Sequence, residues 1–390
     1  MSDPGNPREY QARLALRGKT ADDELKKLLD EATATRFRLT ERLLLRHILL
    51  LGATGAGKTN HAFHIIGQAE ADSVLIIDVK KEYRKLKGVF AKEVRVLAIG
   101  DEPRLRFNPL APPPGVRADP WDRAFADVFN RAYGLAEPSR RILLDSLAYL
   151  REDDKAQPTL RELEKAVADF HAGSPKEQSS RRSLESRLHI INTGAVGASV
   201  NSDDQLDFGA LESGITVFEV GNVDSLRDQR FLAELLLAMV WQRDRAAPDG
   251  PEEKLKRLIV VEEAHRYLSE ERPPAQRGDR TLLELAIAEA RRYGWGFVII
   301  DQMPSLLSQY VWDNAGTVFA HRMTNMESYG IVKSALGGHP LANERPEDRD
   351  PLPLRLPEGV ALFRRYVDPR LGGVGAGVTM VPRVSGQRDA

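Results

Sequence analysis

The sequence has no cysteine among its 390 residues. This absence excludes disulfide bonds and thiolate metal sites, and it fits a reducing compartment. No run of eighteen or more apolar residues occurs, and the polar first residues, MSDPGNPREY, do not resemble a signal peptide. The sequence therefore predicts a cytoplasmic protein without a membrane span.

The chain also has no excess of charge of either sign, because its formal net charge is -1. Any contact with nucleic acid must then come from a local basic patch or from a surface that is built by assembly. Hydrophobic residues make up 42% of the chain and charged residues 29%. These proportions are those of an ordinary globular protein that can bury a sizeable core.

What the chain does contain is a glycine-rich stretch, HILLLGATGAGKTNHAFHIIG, at residues 47–67. An apolar run precedes eight residues that match G-x-x-x-x-G-K-[ST], and a helical pattern follows. Glycines let successive backbone N–H groups turn towards phosphate oxygens, and the helix adds the positive end of its dipole. The stretch predicts a nucleotide-binding loop made by Gly52, Ala53, Thr54, Gly55, Ala56, Gly57, Lys58, Thr59 and Asn60.

Two side chains of this loop have separate predicted roles. Lys58 is expected to reach the β- and γ-phosphates, and the hydroxyl of Thr59 to bind Mg²⁺. The predicted cofactors are therefore ATP and Mg²⁺. A chance glycine-rich turn is the alternative. It is disfavoured because the strand, the loop, the Lys-Thr pair and the helix follow one another in the order that the motif requires.

A second acidic strand, LIVVEEAH at residues 258–265, favours a hydrolytic motor over other nucleotide-binding proteins. Glu262 would end the strand facing Mg²⁺, as a Walker B acid does. Glu263 would lie one residue further, where it can orient or deprotonate the attacking water. A solvated acidic turn is the alternative.

Three more polar residues near strand ends are candidates for the site. Gln302 ends the run FVIIDQ, and its amide could contact the γ-phosphate or the water. Arg291 and Arg292, in AEARRYGWG, could stabilise phosphoryl charge, and such arginines are often delivered by a neighbouring subunit. Cations near a helix C-terminus also favour the helix dipole, so the arginines have two open interpretations.

The order of elements predicts the fold class. Apolar strands alternate with helical patterns, which indicates an α/β protein with a mostly parallel sheet covered on both faces. Residues 1–40 are predicted to form a helical arm and residues 41–390 the nucleotide-binding domain. Helical patterns dominate at about 115–205, with Asp119 as the expected N-cap of the first helix and Thr159 with Glu162 as a capping box.

The motifs together resemble a known group of proteins. HILLLGATGAGKT, LIIDVKKEY, RFNPL, LIVVEEAH, ARRYGWGFVIIDQ and VFAHRM occur in the order typical of the HerA/FtsK superfamily of P-loop ATPases. The resemblance is closest to HerA-like ATPases, and it covers roughly residues 45–385.

This resemblance implies a RecA-like P-loop NTPase core with an all-α insertion. It implies a hexameric ring with ATP sites between subunits and double-stranded DNA in the central pore. Matched by motif, Lys58 and Thr59 are the Walker A pair, and Glu262 and Glu263 are the Walker B acid and the catalytic glutamate. Gln302 matches the sensor glutamine, and Arg291 or Arg292 the arginine finger that acts in trans.

Three departures from the family pattern qualify these expectations. Glu262 stands where Asp is commoner, and Asp301 where Thr or Ser usually precedes the glutamine. A short arm stands where HerA proteins carry a β-barrel that helps to dock the nuclease NurA. The family implies a nuclease or another effector as partner, and the missing barrel argues against NurA itself.

Two basic stretches are candidates for DNA contacts. One is the loop at 269–281, with Arg272, Arg277 and Arg280, and the other is SSRRSLESR at 179–187. Solvated mixed-charge surfaces are the alternative for both. The leading hypothesis is a DNA translocase or helicase acting in DNA processing, mobility or defence, and the alternatives are an ATPase that powers protein transfer and a nucleotide-switched assembly module.

Overall fold

A computed structural model gives the fold, and it describes residues 39–102, 104–152, 157–247, 254–269, 280–336, 356–365 and 376–381. The predicted N-terminal arm lies outside the described residues, except for its last two positions. Most of the predicted DNA-contacting loop, residues 270–279, also lies outside them.

One sheet organises the molecule. Within the described residues it contains nine strands, in the order β3-β4-β2-β5-β6-β1-β7-β8-β9. In chain order these strands are β1 (Ile48–Leu51), β2 (Ser73–Asp78), β3 (Val94–Ala98), β4 (Gly214–Glu219), β5 (Arg257–Glu262), β6 (Trp295–Asp301), β7 (Thr317–Ala320), β8 (Val360–Arg365) and β9 (Ala376–Met380).

Strands β1 to β7 run parallel, whereas β8 and β9 add an antiparallel edge. The predicted mostly parallel α/β sheet is therefore confirmed. Parallel strands bring their carboxyl ends to one edge, which is where ligands bind in such sheets. In the register of the sheet, Leu51 at the end of β1 pairs with Asp301 of β6 and with Ala320 of β7.

Helices cover both faces of the sheet. They are α1 (Glu41–Leu44), α2 (Lys58–Gln68), α3 (Ala118–Tyr133), α4 (Glu137–Glu152), α5 (Leu160–Asp169), α6 (Pro175–Ile191), α7 (Gly194–Val200), α8 (Leu226–Ala246), α9 (Leu282–Glu289), α10 (Gln309–Asn314) and α11 (Met326–Leu336). None of those in the described part of the chain is long and apolar enough to cross a membrane.

Alternate side chains of the strands enter two separate cores. Leu49 and Leu51 of β1 pack in a cluster with α8 and with helices inserted between β3 and β4, such as α3. Ile48 and Leu50 pack in a second cluster with α2. Successive residues of a strand point to opposite faces. A four-residue apolar run can therefore be buried completely, as a strand that is covered on both faces must be.

Between β3 and β4 the described residues form five helices, α3 to α7. The capping box of α5 is confirmed, because Thr159 accepts from the backbone N–H of Glu162 and Glu162 accepts from that of Thr159. The expected N-cap of α3 is wrong. Arg117 holds the cap position, and Asp119 lies inside the first turn, where its carboxylate pairs with Arg123 one turn on.

A buried ion pair fixes the start of the strand that carries the predicted Walker B acid. Arg257, the first residue of β5, donates from Nε to Asp244 of α8 over 2.6 Å. The indole of Trp295 at the start of β6 donates to the same carboxylate over 2.9 Å. A buried charge pair is retained only where its hydrogen bonds are satisfied. These bonds join α8, β5 and β6 at the amino edge of the sheet.

Candidate nucleotide site

The predicted phosphate-binding loop lies at the carboxyl edge of the sheet, between β1 and α2. Its first N–H groups bond to the last residue of β6 and to the segment that follows β7, the two strands that flank β1. Gly52 donates to the carbonyl of Asp301 over 3.2 Å, and Ala53 donates to that of Arg322 over 2.7 Å. The loop is therefore anchored on both sides before it turns into α2, whose third residue is Asn60.

Two glycines of this loop, Gly55 and Gly57, have the positive φ angles that favour glycine. Gly57 caps α2 with a φ of 99°, and a Cβ there would lie 2.9 Å from the backbone nitrogen of Gly359. Gly55 has a φ of 71° but faces open space, with no atom of the described chain within 4 Å of a Cβ. The back of the loop is thus packed against the segment before β8, while its tip, Thr54 and Gly55, is exposed.

Lys58 is the first residue of α2, and its side chain is buried beneath the loop. Its Nζ donates to the carbonyls of Gly52 and Ala53 over 2.7 and 2.8 Å. Burial, together with the nearby Lys80 ammonium, lowers the pKa of Lys58 to about 8. A cation held under exposed backbone N–H groups fits the phosphates of a nucleotide, because anions would offset the cost of its burial.

The predicted Mg²⁺ ligands lie next to each other. Thr59 Oγ1 is 3.3 Å from Glu262 Oε1 and 2.9 Å from Glu82 Oε2. Glu262, the last residue of β5, is buried, and the Tyr83 hydroxyl donates to its Oε1 over 3.1 Å. Its other oxygen, Oε2, is buried without a hydrogen-bond partner among the described residues.

The electrostatics of Glu262 also fit a divalent cation. Burial, together with the neighbouring carboxylates of Asp78 and Glu82, raises the pKa of Glu262 to about 7. No group of three His, Cys, Asp or Glu side chains that could hold a metal alone occurs in the described ranges. Mg²⁺ at nucleotide sites needs only one or two protein ligands, since phosphates and water complete its shell. Thr59 and Glu262 suit that role.

Glu263 follows in a left-handed backbone conformation, with a φ of 50°. The ammonium of Lys80 forms an ion pair with its Oε1, and Gln302 Nε2 donates to its Oε2 over 2.9 Å. Burial raises the pKa of Glu263, but the hydrogen bond and charge of Lys80 outweigh burial and lower the pKa overall. The carboxylate is therefore ionised and oriented, as a group that activates water must be.

Gln302 joins Glu263 to the phosphate-binding loop. Its Oε1 accepts from the hydroxyl of Thr54 over 2.6 Å, while its amide nitrogen donates to Glu263. The exposed tip of the loop is thus two hydrogen bonds away from the carboxylate predicted to activate water. A ligand that displaced Thr54 would act on Glu263 through Gln302.

Asp301, which departs from the family pattern, does not contact the loop with its side chain. Its carboxylate accepts from the backbone N–H groups of His265 and Met303, each over 2.6 Å. The ring nitrogen Nδ1 of His265 lies 3.0 Å from the same carboxylate. This hydrogen bond raises the pKa of His265. Asp301 therefore holds the turn that follows Glu263, and Gln302 is still free to reach Glu263.

The structure does not bring Arg291 and Arg292 to this site. Both lie in the 3-10 turn Ala290–Tyr293, which precedes β6 at the amino edge of the sheet, and both are exposed. The loop lies beyond the other end of the strands. Within one chain they cannot contact the same phosphate as Lys58, so a role in hydrolysis requires a second copy of the chain.

Sequence reasoning missed several residues of the site. Lys80, Glu82 and Tyr83 follow β2, and the motif LIIDVKKEY was the signal that could have located them. A buried pair of histidines was also missed. His61 Nδ1 on α2 lies 2.9 Å from His321 Nε2 after β7, and burial lowers the pKa of both rings. The neutral pair fixes α2 against the end of β7.

Comparison with known proteins identifies the family of this site. Residues 25–240, more than half of the chain, match the family described as "Helicase HerA, central domain". The chain belongs to the HerA family. It is a P-loop ATPase, and the predicted resemblance is confirmed. No curated protein matches the sequence.

Solved structures share the fold of this HerA-family chain. VirB4 of Thermoanaerobacter pseudethanolicus superimposes with a TM-score of 0.62 at 15% identity, covering 86% of this chain and 89% of its own. The plasmid coupling protein TrwB, in complex with ADP and Mg²⁺, superimposes with a TM-score of 0.64 at 15% identity, covering 89% and 87%. These similarities confirm the RecA-like α/β core.

Proposed function

We propose that this HerA-family ATPase moves double-stranded DNA, as a translocase or helicase that works as a hexameric ring in the cytoplasm. Residues 41–390 would form the motor domain, with the helices at about 115–205 inserted in it, and residues 1–40 an arm. Lys58, Thr59, Glu262, Glu263 and Gln302 would bind and hydrolyse ATP.

The bonded series Thr54–Gln302–Glu263 carries this proposal. A nucleotide-binding protein that only stores its ligand needs the loop and Lys58. Here the amide of Gln302 contacts both Thr54 at the loop tip and the carboxylate of Glu263. Such an arrangement supports a motor, because the presence of the γ-phosphate can alter the group that activates water.

A ring is supported by the position of two arginines. Arg291 and Arg292 are exposed at the edge of the sheet opposite Lys58. Copies packed side by side in a closed ring would let one of these guanidinium groups reach the nucleotide of the next subunit. We propose that one of them is an arginine finger acting in trans.

The fold neighbours support an alternative function. TrwB is described as a bacterial conjugative coupling protein, so a chain with this fold could instead power transfer through a conjugation or secretion apparatus. A protein that only switches an effector, such as a nuclease, on and off is a further possibility. DNA-stimulated hydrolysis favours the first function, and stimulation by a protein partner the second.

The test is steady-state ATP hydrolysis by the purified chain, with and without linear double-stranded DNA. We expect DNA to stimulate hydrolysis, and Glu263→Gln to abolish it while nucleotide binding is retained. Lys58→Ala should remove binding or turnover. Hydrolysis that is active but indifferent to DNA would overturn the translocase, and wild-type turnover by Glu263→Gln would overturn the role of that carboxylate.

A further inference from the structure

A large polar groove lies outside the nucleotide site, where the end of α3 meets α6 and the first turn of α8. Its volume is about 690 Å³. Three arginines line it together with hydroxyl and amide side chains, and the residues that matter here are Arg182, Arg187, Arg227, Gln178, Ser179 and Ser183. We refer to it as the arginine groove.

The charge of this groove is not neutralised. No acidic residue lines it, and none of its three arginines forms an ion pair within the described part of the chain. Other arginines nearby do so: on the same helix, Arg181 pairs with Glu185 over 3.1 Å. The buried carboxylate of Asp228, which follows Arg227 in the sequence, accepts from the hydroxyl of Tyr133 over 2.6 Å.

The spacing of the polar residues on α6 makes one continuous surface. Gln178, Arg182 and Ser186 are four residues apart, as are Ser179, Ser183 and Arg187, so the two rows lie side by side on one helix face. Every one of these side chains can donate a hydrogen bond. Arg227 adds a third guanidinium from α8. Guanidinium groups match the paired oxygens of a phosphate.

The groove lies on the same side of the sheet as the nucleotide site. Six residues separate the carboxyl end of β4 from the start of helix α8. In its first turns Gln229 accepts from Arg266 over 2.8 Å. The backbone N–H of Arg266 in turn donates to the carbonyl of Glu263 over 2.9 Å. Two residues therefore connect the helix that carries Arg227 to the turn that carries Glu263.

We propose that the arginine groove binds the phosphate backbone of double-stranded DNA and so couples DNA to the ATPase site through α8. This inference rests on the proposed translocase function and adds to it a DNA-contacting surface on the inserted helices. The groove is open and has three unpaired cations, so it suits a polyanion that runs past it and carries several phosphates. Contacts of this kind are independent of base sequence.

The test is fluorescence anisotropy with a labelled DNA duplex, measured on the full chain at several salt concentrations. The variant replaces Arg182, Arg187 and Arg227 by Gln. The matched control replaces Arg123, Arg141 and Arg161, three exposed arginines of the inserted helices that do not line the groove. Both variants lose three positive charges. Any difference between their affinities for duplex DNA therefore reflects where the arginines lie.

We expect the groove variant to bind duplex at least about tenfold more weakly at ~0.1 M salt, with a salt slope smaller by about two to three. The control should lose much less. Basal hydrolysis without DNA should be unchanged in the groove variant, whereas its stimulation by DNA should fall.

The other outcomes separate this inference from the proposed function. If wild type and groove variant bind duplex equally, the groove is not the DNA surface, and the translocase proposal stands. If the wild type does not bind duplex even at low salt, both are wrong. A third outcome concerns small phosphates and is tested with radiolabelled pyrophosphate on the Lys58→Ala variant. If pyrophosphate binds only when the groove arginines are intact, and their replacement leaves DNA binding unaffected, the groove is a small-phosphate pocket. That result would overturn the inference.

Discussion

Gln302 donates a hydrogen bond to Glu263 over 2.9 Å while it accepts one from Thr54 over 2.6 Å. One amide thus connects the loop that would hold the phosphates to the carboxylate that would activate water. An amide can do this because it has a donor and an acceptor on opposite sides. A carboxylate or a hydrocarbon of the same length would lose one or both bonds.

The first prediction concerns this amide. Gln302→Leu should lower kcat about a hundredfold, since an unoriented general base loses most of its effect. The dissociation constant for nucleotide should change much less, because the loop and Lys58 remain. Single-turnover hydrolysis and equilibrium nucleotide binding check both expectations. Gln309→Leu, which removes an exposed amide on α10, is the control, and equal kcat in the two variants would rule out the coupling.

The second prediction concerns the pH dependence of hydrolysis. Lys80 lowers the pKa of Glu263, and Glu263 must be ionised to accept a proton. Lys80→Met should therefore move the acidic limb of the kcat–pH profile to higher pH and leave the rate at high pH nearly unchanged. Lys81→Met, which removes the neighbouring and more exposed ammonium, should leave the limb in place. A profile of Lys80→Met that coincides with wild type would contradict the ion pair's role.

The third prediction concerns Glu262 and stability. Its pKa is raised to about 7 from a usual 4.5, so the folded state holds the proton more tightly than the unfolded state does. The free energy of unfolding should fall as pH rises from about 4.5 to 7. Glu262→Gln should thus stabilise the nucleotide-free protein at pH 8, by on the order of 3 kcal/mol, and hardly at all near pH 4.5.

Thermal unfolding at the two pH values, with the exposed Glu289→Gln as control, measures this difference. A gain in stability from Glu262→Gln that is equal at both pH values would mean that Glu262 has no raised pKa. Binding of Mg²⁺ with nucleotide should in turn release a proton below pH 7, because the cation favours the ionised carboxylate.

The fourth prediction concerns the arginines at the amino edge. If one of these two arginines is the finger, its replacement by Ala (Arg291→Ala or Arg292→Ala) should lower kcat about a thousandfold. Mixing that variant with Lys58→Ala subunits should restore part of the activity, because some interfaces then combine an intact loop with an intact arginine. Activity that only falls on mixing would rule out a finger acting in trans.

The sequence predicted the residues of the site that follow apolar strands. Glu262 follows a short apolar run directly, Gln302 follows one after Asp301, and Lys58 follows one after the glycine-rich residues 52–57. Parallel strands bring such positions to one edge. The central parallel sheet was predictable for the same reason. The roles of these residues in hydrolysis and the division into arm and motor domain stay predictions.

The partners of those residues were not predictable from local patterns. Lys80 reaches Glu263 only because β2 lies next to β5, and His265 reaches Asp301 only because β5 lies next to β6. Strand order is a property of the whole fold. The predicted N-cap of α3 was wrong for a different reason. The helix starts at Ala118, one residue before the Asp-Pro pair that the prediction placed at its N-terminus.

The contact between Gly359 and the phosphate-binding loop has a consequence for biosynthesis. The N–H of Gly359 donates to the carbonyl of Ala56 over 3.1 Å. At about 5–20 residues per second, a ribosome needs roughly 15–60 seconds to make the ~300 residues between them. During that interval the nascent chain has its Walker A sequence but lacks the segment that packs behind it. The ATP site is therefore completed only after the strands β1 to β7 have been synthesised.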